Sequence, residues 1–316
     1  MGFLPEHALC MAPMVDLSHV AYRELIRAYS GCDLFYSEML NSRMVPSEDP
    51  FTSPYLKWVN PRDLIFQIVG DDPTRMQKAA GKLDTYVPWG IDINMGCWLN
   101  KVVRHGWGVA LMKNITLASQ VVRAVREITP RPLSVKMRLG DSLDKDYLLD
   151  FVEMLTDSGV DFIVVHARTA LDGMKRKARW EYIAFIKQHS KVPIIGNGDI
   201  SSARHALDMF NQTGCNGVMI GRQALITPWI FRDIKSLLAG ETAGAPPNLQ
   251  QVILDLSFLI EKHFPPQTAL KRMKTALPWL ARNLTFGHFL SKVVSKAAGM
   301  DEIRSRLLQC FETGIS

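Results

Sequence analysis

Residues 162–222 read FIVVHARTALDGMKRKARWEYIAFIKQHSKVPIIGNGDISSARHALDMFNQTGCNGVMIGR, and the fold is decided there. Three short apolar, β-branched runs stand in this stretch, at 162–166, 193–196 and 217–220. Each is too short and too continuous for a half-exposed antiparallel strand, and reads as a strand buried on both faces. Between them, 180–189 and 202–211 carry apolar residues at helical spacing, and the second opens on a serine suited to cap a helix. Strand, helix, strand, helix, strand is the repeating unit of a parallel sheet with helical crossovers.

The same alternation runs upstream. Further strands are expected at 9–12, 34–37, 64–69, 91–94 and 133–137, with helices at 19–29, 74–85, 117–128 and 147–158. About eight repeats in some 240 residues predict an α/β fold of the (β/α)8 TIM-barrel type. A doubly wound open sheet is the runner-up, but it wants a GxGxxG turn after its first strand, and none is present. At 240–247 the sequence becomes GETAGAPP, which reads as a linker. Beyond it only helical patterns remain, at 249–263, 267–284, 286–298 and 301–311. The chain therefore divides into a barrel over 1–239, a linker over 240–247 and a small all-helical C-terminal domain over 248–316.

Bulk composition narrows the function classes. With 47% apolar and 22% charged residues among 316, a sizeable core is expected. No apolar run is long enough to span a membrane, and the start, Met1 to Glu6, lacks a basic segment followed by an apolar core, so a cytoplasmic protein is expected; a monomer is expected separately. The five cysteines are scattered, with no CxxC pair or Cys/His cluster at zinc spacing, which argues against disulfides and structural metal. A formal charge of +6 leans towards a polyanionic partner. Lys271, Arg272 and Lys274 lie within a turn and a half of one predicted helix, and read either as a solvated face or as contacts to RNA phosphate.

Active sites of such barrels lie at the C-terminal ends of the strands. The residues after each predicted strand are Pro13 and Met14, Glu38, Gln67, Asn94 to Cys97, Lys136 and Arg138, His166 and Arg168, Asn197 to Asp199, and Gly221 with Arg222. The last two groups follow strands seven and eight, where barrels often build a phosphate site from loop amides. Glycines let the backbone approach such a phosphate and Arg222 can neutralise it. Lys136 follows alternating apolar residues in LSVKMR, so its ammonium should point into the barrel, where it needs an anionic or electron-rich partner. Cys97 follows a glycine in a rim loop. An ordinary thiol, with a pKa of about 8.5, is mostly protonated at neutral pH and suited to give up a proton; a nucleophilic role would want a base, and His105 and His166 are candidates by type.

In order along the chain stand APM at 12–14, SEM at 37–39, QIVG at 67–70, DINMGC at 92–97, VKMRLG at 135–140, VHART at 165–169, NGDI at 197–200 and IGR at 220–222. Together they resemble the flavin-dependent tRNA-dihydrouridine synthases across the whole barrel, and LKRMKTALPWL resembles that family's basic helix. The resemblance implies an enzyme that reduces uridine in tRNA with FMN, itself re-reduced by NADPH. Pro13, Met14 and Val15 would pack on the flavin ring, Gln67, Lys136 and His166 would bond its polar edge, and Asn197, Gly198, Asp199, Gly221 and Arg222 would hold its phosphate. Asn94, Arg138 and Arg168 would hold the base, and Lys271, Arg272 and Lys274 the RNA. Hydride would reach carbon 6 of the uracil, and Cys97 would protonate carbon 5. A free pyrimidine or small enone, or ribosomal RNA, are the alternative substrates, and an RNA-binding scaffold without catalysis is a third reading. Two positions depart from the family: Trp98 replaces a usual proline, reshaping the Cys97 loop or adding a stacking surface, and His19 stands where an acidic residue is common.

Overall fold

The computed structural model describes residues 4–313. Residues 1–3, half of the start that lacks a leader pattern, and 314–316, the end of the helical region, lie outside it. The strands are β1 (Ala8–Met11), β2 (Leu34–Tyr36), β3 (Leu40–Asn41), β4 (Leu64–Val69), β5 (Gly90–Met95), β6 (Leu133–Met137), β7 (Phe162–His166), β8 (Ile194–Asn197) and β9 (Gly217–Ile220). All pair in parallel. β1 pairs with both β2 and β9, β2 pairs with β4, and the rest follow in chain order, so eight strands close into a barrel. β3 is a two-residue addition on the rim side of β4. The TIM barrel expected from the alternation is the fold observed.

The helices around and after the barrel are α1 (Val20–Ala28), α2 (Pro73–Asp84), α3 (Asn100–Val103), α4 (Ile115–Ile128), α5 (Lys145–Asp157), α6 (Trp180–His189), α7 (Ala203–Thr213), α8 (Arg222–Ile226) and α9 (Ile230–Leu238). Their starts are chemically marked. Asp72, Asn114, Asp144 and Ser202 each accept a hydrogen bond from a backbone N–H of the first turn. No α-helix follows β2. Pro46, Pro50, Pro54 and Pro61 interrupt the segment before β4, and only two single-turn 3-10 helices form there, Val45–Ser47 and Pro61–Asp63. The short α8 and the helix α9 were not expected, because 222–238 carries little helical signal before the linker.

Strand residues alternate between two cores, as a period of two requires. Leu9 and Met11 face outward into the large cluster shared with the helices, whereas Ala8, Cys10 and Ala12 face the barrel interior with Phe162, Val164, Ile195 and Met219. At the level of the rim this apolar interior gives way. In register, Gln67, Asp92 and Ser134 sit side by side, and Asn94 beside Lys136. That polar layer is the floor of the site.

After residues 239–248, which form neither helix nor strand, come α10 (Leu249–His263), α11 (Pro266–Leu280), α12 (Gly287–Ser295) and α13 (Met300–Glu312). These helices share the outer core with the barrel: Leu256, Met273 and Ile303 belong to the same buried cluster as Leu25. Polar links tie the seam. Lys262 and His263 bond Glu24 on α1 at 2.7 and 2.5 Å, and Arg272 bonds Glu38 at 3.1 Å. No helix among the described residues is long and apolar enough to cross a membrane.

Candidate active site

A cavity of about 370 Å³ opens at the C-terminal mouth of the barrel. Its walls include Pro13, Met14 and Val15 after β1, Gln67 on β4, and Asn94 and Cys97 on and after β5. Lys136 and Arg138 from β6, His166 and Arg168 from β7, Asn197, Gly198 and Asp199 from β8, and Gly221 and Arg222 from β9 complete them. Residues spread over two thirds of the chain thus share one space, because each follows an inward-facing strand position.

The floor is a continuous hydrogen-bonded chain. Asp92, fully buried, accepts from Ser134 Oγ at 2.5 Å and from Gln67 Nε2 at 2.8 Å. Burial pushes its carboxyl up to about 7. Gln67 Oε1 in turn accepts from Asn94 Nδ2 at 2.8 Å, and Asn94 Oδ1 accepts from the backbone N–H groups of Gly96 and Cys97 at 3.2 and 2.9 Å. The loop that carries Cys97 is therefore fastened from beneath. Its far side is fixed by Val109 N–H, which donates to the Cys97 carbonyl at 3.0 Å. Cys97 itself is half-buried and lines the cavity.

Across the mouth, Lys136 Nζ donates to Asn197 Oδ1 at 3.2 Å, and Asn197 Nδ2 donates to the Met219 carbonyl at 2.7 Å. Burial, then the neighbouring Arg138, push the lysine down to about 8. An ammonium has three donors, and the protein supplies Lys136 with one acceptor, which leaves capacity for a ligand. His166 Nε2 lies 3.0 Å from Arg168 Nη1. A guanidinium only donates, so that nitrogen is the acceptor and the ring is neutral with its proton on Nδ1. Burial and the surrounding cations Lys136, Arg138, Arg168 and Arg222 hold its pKa well below the ordinary histidine value.

The two glycine turns make a close-approach surface. Gly198 has φ +123°, and a Cβ there would lie 2.7 Å from Ala178 Cβ. Asp199, next to it, has φ +58°. A Cβ on Gly221 would meet Met14 Sδ at 3.2 Å. Arg222 is 42% exposed at the edge, 3.2 Å from Asp199. Both turns lie close against their neighbours, flanked by a cation and opposite an under-partnered lysine, a donor set that suits a phosphorylated, ring-bearing cofactor.

Several expected roles change with the geometry. Asp199 is held by both η2 contacts of Arg168, at 2.6 and 2.7 Å, and by Ala178 N–H at 2.7 Å, so its carboxylate is turned away from a phosphate and only its backbone is available. Arg168, expected on the substrate, is buried and spends its donors on Asp199, His166 and the Arg176 carbonyl. Arg272, expected on an RNA-facing surface, is only 4% exposed and pairs with Glu38 in the seam. Lys274 donates to the Ala297 carbonyl at 2.6 Å, leaving Lys271 as the exposed member of that trio. All three lie away from the cavity.

Sequence reading missed Asp92 and Ser134, although their alternation with Asn94 and Lys136 places them on the inward face. It also missed the packing of Trp98. A Cβ on Gly173 would touch the Trp98 ring at 3.3 Å, and Arg138 lies 5.6 Å from the ring centre. The indole joins the loops after β5, β6 and β7. Among the described residues, no group of three or more His, Cys, Asp or Glu could hold a metal.

Comparison with known proteins bears on this site. A family profile described as Dihydrouridine synthase (Dus) matches residues 10–315. A probable tRNA-dihydrouridine synthase from Mycobacterium tuberculosis (strain CDC 1551 / Oshkosh) is 32% identical over 93% of this chain and 79% of its own length. One from Aquifex aeolicus (strain VF5) is 31% identical over 96% of this chain and 95% of its own length. Among solved structures, histamine dehydrogenase from Rhizobium sp. 4-9 superposes with a TM-score of 0.55 at 12% identity, over 79% of this chain. The chain spans 48% of that structure's length, and the likeness carries the barrel fold alone.

Proposed function

The chain belongs to the dihydrouridine synthase family, and from that premise we propose that it reduces uridine to 5,6-dihydrouridine in tRNA, using FMN at the barrel mouth and NADPH as the reductant. One observation carries the reading: a thiol on a fastened loop lines the same cavity as an under-partnered lysine and two glycine turns. The expectation that the flavin phosphate meets Asn197, Gly198, Asp199 and Gly221, with Arg222 beside it, is supported by their shared place in the wall of this cavity. Pro13, Met14 and Val15 offer the ring an apolar wall, and Gln67, Lys136 and His166 offer its edge hydrogen bonds.

Bound FMN would supply the hydride, in the way that cofactors generally carry the electron chemistry while the protein orients and protonates. This chain's own part is to admit the base, hold it and deliver a proton. A uridine inside folded RNA must leave its stack to enter, at a cost of a few kcal/mol. Asn94 retains one amide hydrogen beyond its bond to Gln67, and Arg138 lines the same cavity, so both are placed to hold a uracil. Arg168 acts through Asp199 and His166 and not on the base. Cys97 is the proton donor to carbon 5, fixed in place by Asn94.

Replacing Cys97 by Ala should lower RNA reduction by about 10²–10⁴-fold, the usual worth of a general acid, while NADPH still bleaches the bound flavin. Dihydrouridine mapped in tRNA from cells that carry only the Cys97→Ala protein should be missing at its normal position. Full modification there would remove the thiol from the mechanism. Purified protein without flavin absorbance would remove the cofactor from the proposal.

A further inference from the structure

The loop after β7 carries Lys175, Arg176 and Lys177 in succession, and all three are exposed. Its base is firmly held. Arg138 donates to the carbonyls of Thr169 and Gly173 at 2.8 and 2.9 Å. Asp172 accepts from Thr169 N–H at 2.8 Å and pairs with Arg179 at 2.5 Å. On the returning side, Ala178 N–H donates to Asp199 at 2.7 Å and Arg179 N–H to the Ala167 carbonyl at 2.7 Å. Between these anchors the tip stands out. Lys175 and Lys177 are exposed and make no ion pair among the described residues. Arg176 is 75% exposed, and its approach to Asp172 at 3.6 Å is to a carboxylate already taken by Arg179.

Position gives the tip its meaning. Met174, the residue before the cations, lines the cavity mouth, and Gly173 rests on the Trp98 ring. A polymer whose base entered the cavity would leave its flanking phosphates beside this loop. Three adjacent like charges repel one another, and a polyanion laid against an anchored loop that carries them relieves that repulsion. We infer that residues 175–177 form a backbone clamp for the RNA strand, gripping the phosphates next to the nucleotide that enters the cavity. This rests on the reading of the site as one for uridine in RNA. The clamp adds on the barrel rim what α11 lacks, since that helix leaves only Lys271 exposed.

The test uses the flavin-loaded enzyme with Lys175→Ala, Arg176→Ala and Lys177→Ala combined, and with the milder single change Lys177→Glu in case the triple variant folds poorly. RNA affinity is titrated directly over a range of salt, independently of turnover. Each phosphate contact contributes about 0.7 to 0.9 to the slope of log affinity against log salt. The triple variant should therefore lose about 2.1 to 2.7 from the slope and bind tRNA at least tenfold more weakly, with kcat at saturating RNA and the KM for NADPH unchanged. Lys191→Ala, a cation ahead of β8 at the opposite end of the barrel, should leave the slope as it is. An unchanged slope in the triple variant, an equal loss in Lys191→Ala, or a rise in the NADPH KM with RNA affinity intact would each overturn the clamp. The last outcome would assign the tip to the phosphates of the dinucleotide. A wild-type enzyme that binds tRNA but never reduces it would count against the proposed reaction and leave the clamp standing.

Discussion

Replacing Arg272 by Met separates two readings of one cation. On the sequence it belongs to a basic helix facing RNA; in the structure it closes the seam between α11 and the barrel. Its guanidinium and the Glu38 carboxylate are 4% and 2% exposed, with contacts of 3.1 Å from both η nitrogens. Phe264 lies 4.8 Å from the guanidinium and Tyr55 5.7 Å. Methionine keeps that apolar packing and deletes the charge, leaving Glu38 buried with the Asp16 N–H at 2.6 Å. Breaking a buried pair by removing one partner costs about 3–5 kcal/mol. Unfolding entropy is about 2.1 cal/mol/K per residue, so for 316 residues the melting temperature should fall by about 5–8 °C. Adding Glu38→Gln should recover much of the loss, as a double-mutant cycle by calorimetry would read. The pH dependence has a definite sign. Burial raises the Glu38 carboxyl above its usual range, against the pull of Arg272. A raised acid pKa means stability that is present below the ordinary carboxyl range and lost as pH rises through the folded value. Removing Arg272 raises that value further, so the gap between variant and wild type should be widest near pH 7.5 and narrow towards pH 4. A variant that melts with the wild type at pH 7.5 and instead binds tRNA more weakly would refute the seam.

Two further changes test other parts of the fold. Gly198→Ala places a side chain at φ +123° and a Cβ 2.7 Å from Ala178 Cβ; about 1–3 kcal/mol of stability should go, with lowered flavin content, and an unchanged urea midpoint with full yellow colour would contradict the close-approach surface. His19 caps α1 through Nδ1 while its Nε2 is buried without a partner, and burial, then Arg272, Arg23 and His263, hold its pKa well below the ordinary value. Its stability contribution is therefore present above about pH 6.5 and lost as pH falls below it, at about 1.4 kcal/mol per pH unit. His19→Asn keeps the cap and should flatten urea unfolding between pH 6.5 and 5 by that slope; an unaltered slope would mean that the ring is charged in the native protein.

How far the sequence could be read follows from where the signals are local. Strands such as Leu64–Val69 and Phe162–His166 were legible to the residue because a strand covered on both faces has to be a continuous apolar run. The segment 42–63 was not, since its proline-broken turns have no period to detect. The rim was legible because strand ends are shared by construction: Cys97, Lys136, His166 and Arg222 could be placed together without knowing any distance. Partner choice was not. Whether Arg168 reaches a base or Asp199, and whether Arg272 faces RNA or Glu38, depends on contacts spanning 31 and 234 residues, and a cationic residue looks the same in either use. Lys175 to Lys177 went unremarked, because their value comes from the anchoring of the loop around them.

The polar floor explains why the loop bearing the thiol can carry Trp98 after it. If the loop's own sequence set its course, a residue as large as tryptophan beside the thiol would redirect it. Here the course is set from below. Asp92 accepts from Gln67 Nε2, which turns Gln67 Oε1 towards Asn94 and so commits Asn94 Oδ1 to the N–H groups of Gly96 and Cys97. The carbonyl of Cys97 is fixed separately by Val109, across Gly108, where a Cβ would lie 2.4 Å from that oxygen. With both its N–H and its carbonyl engaged, Cys97 keeps its place whatever follows it, and the next side chain is free to turn outward onto Gly173 beneath Arg138. The thiol is thereby positioned by the rigid barrel, while the residue beside it packs on the loops after β6 and β7.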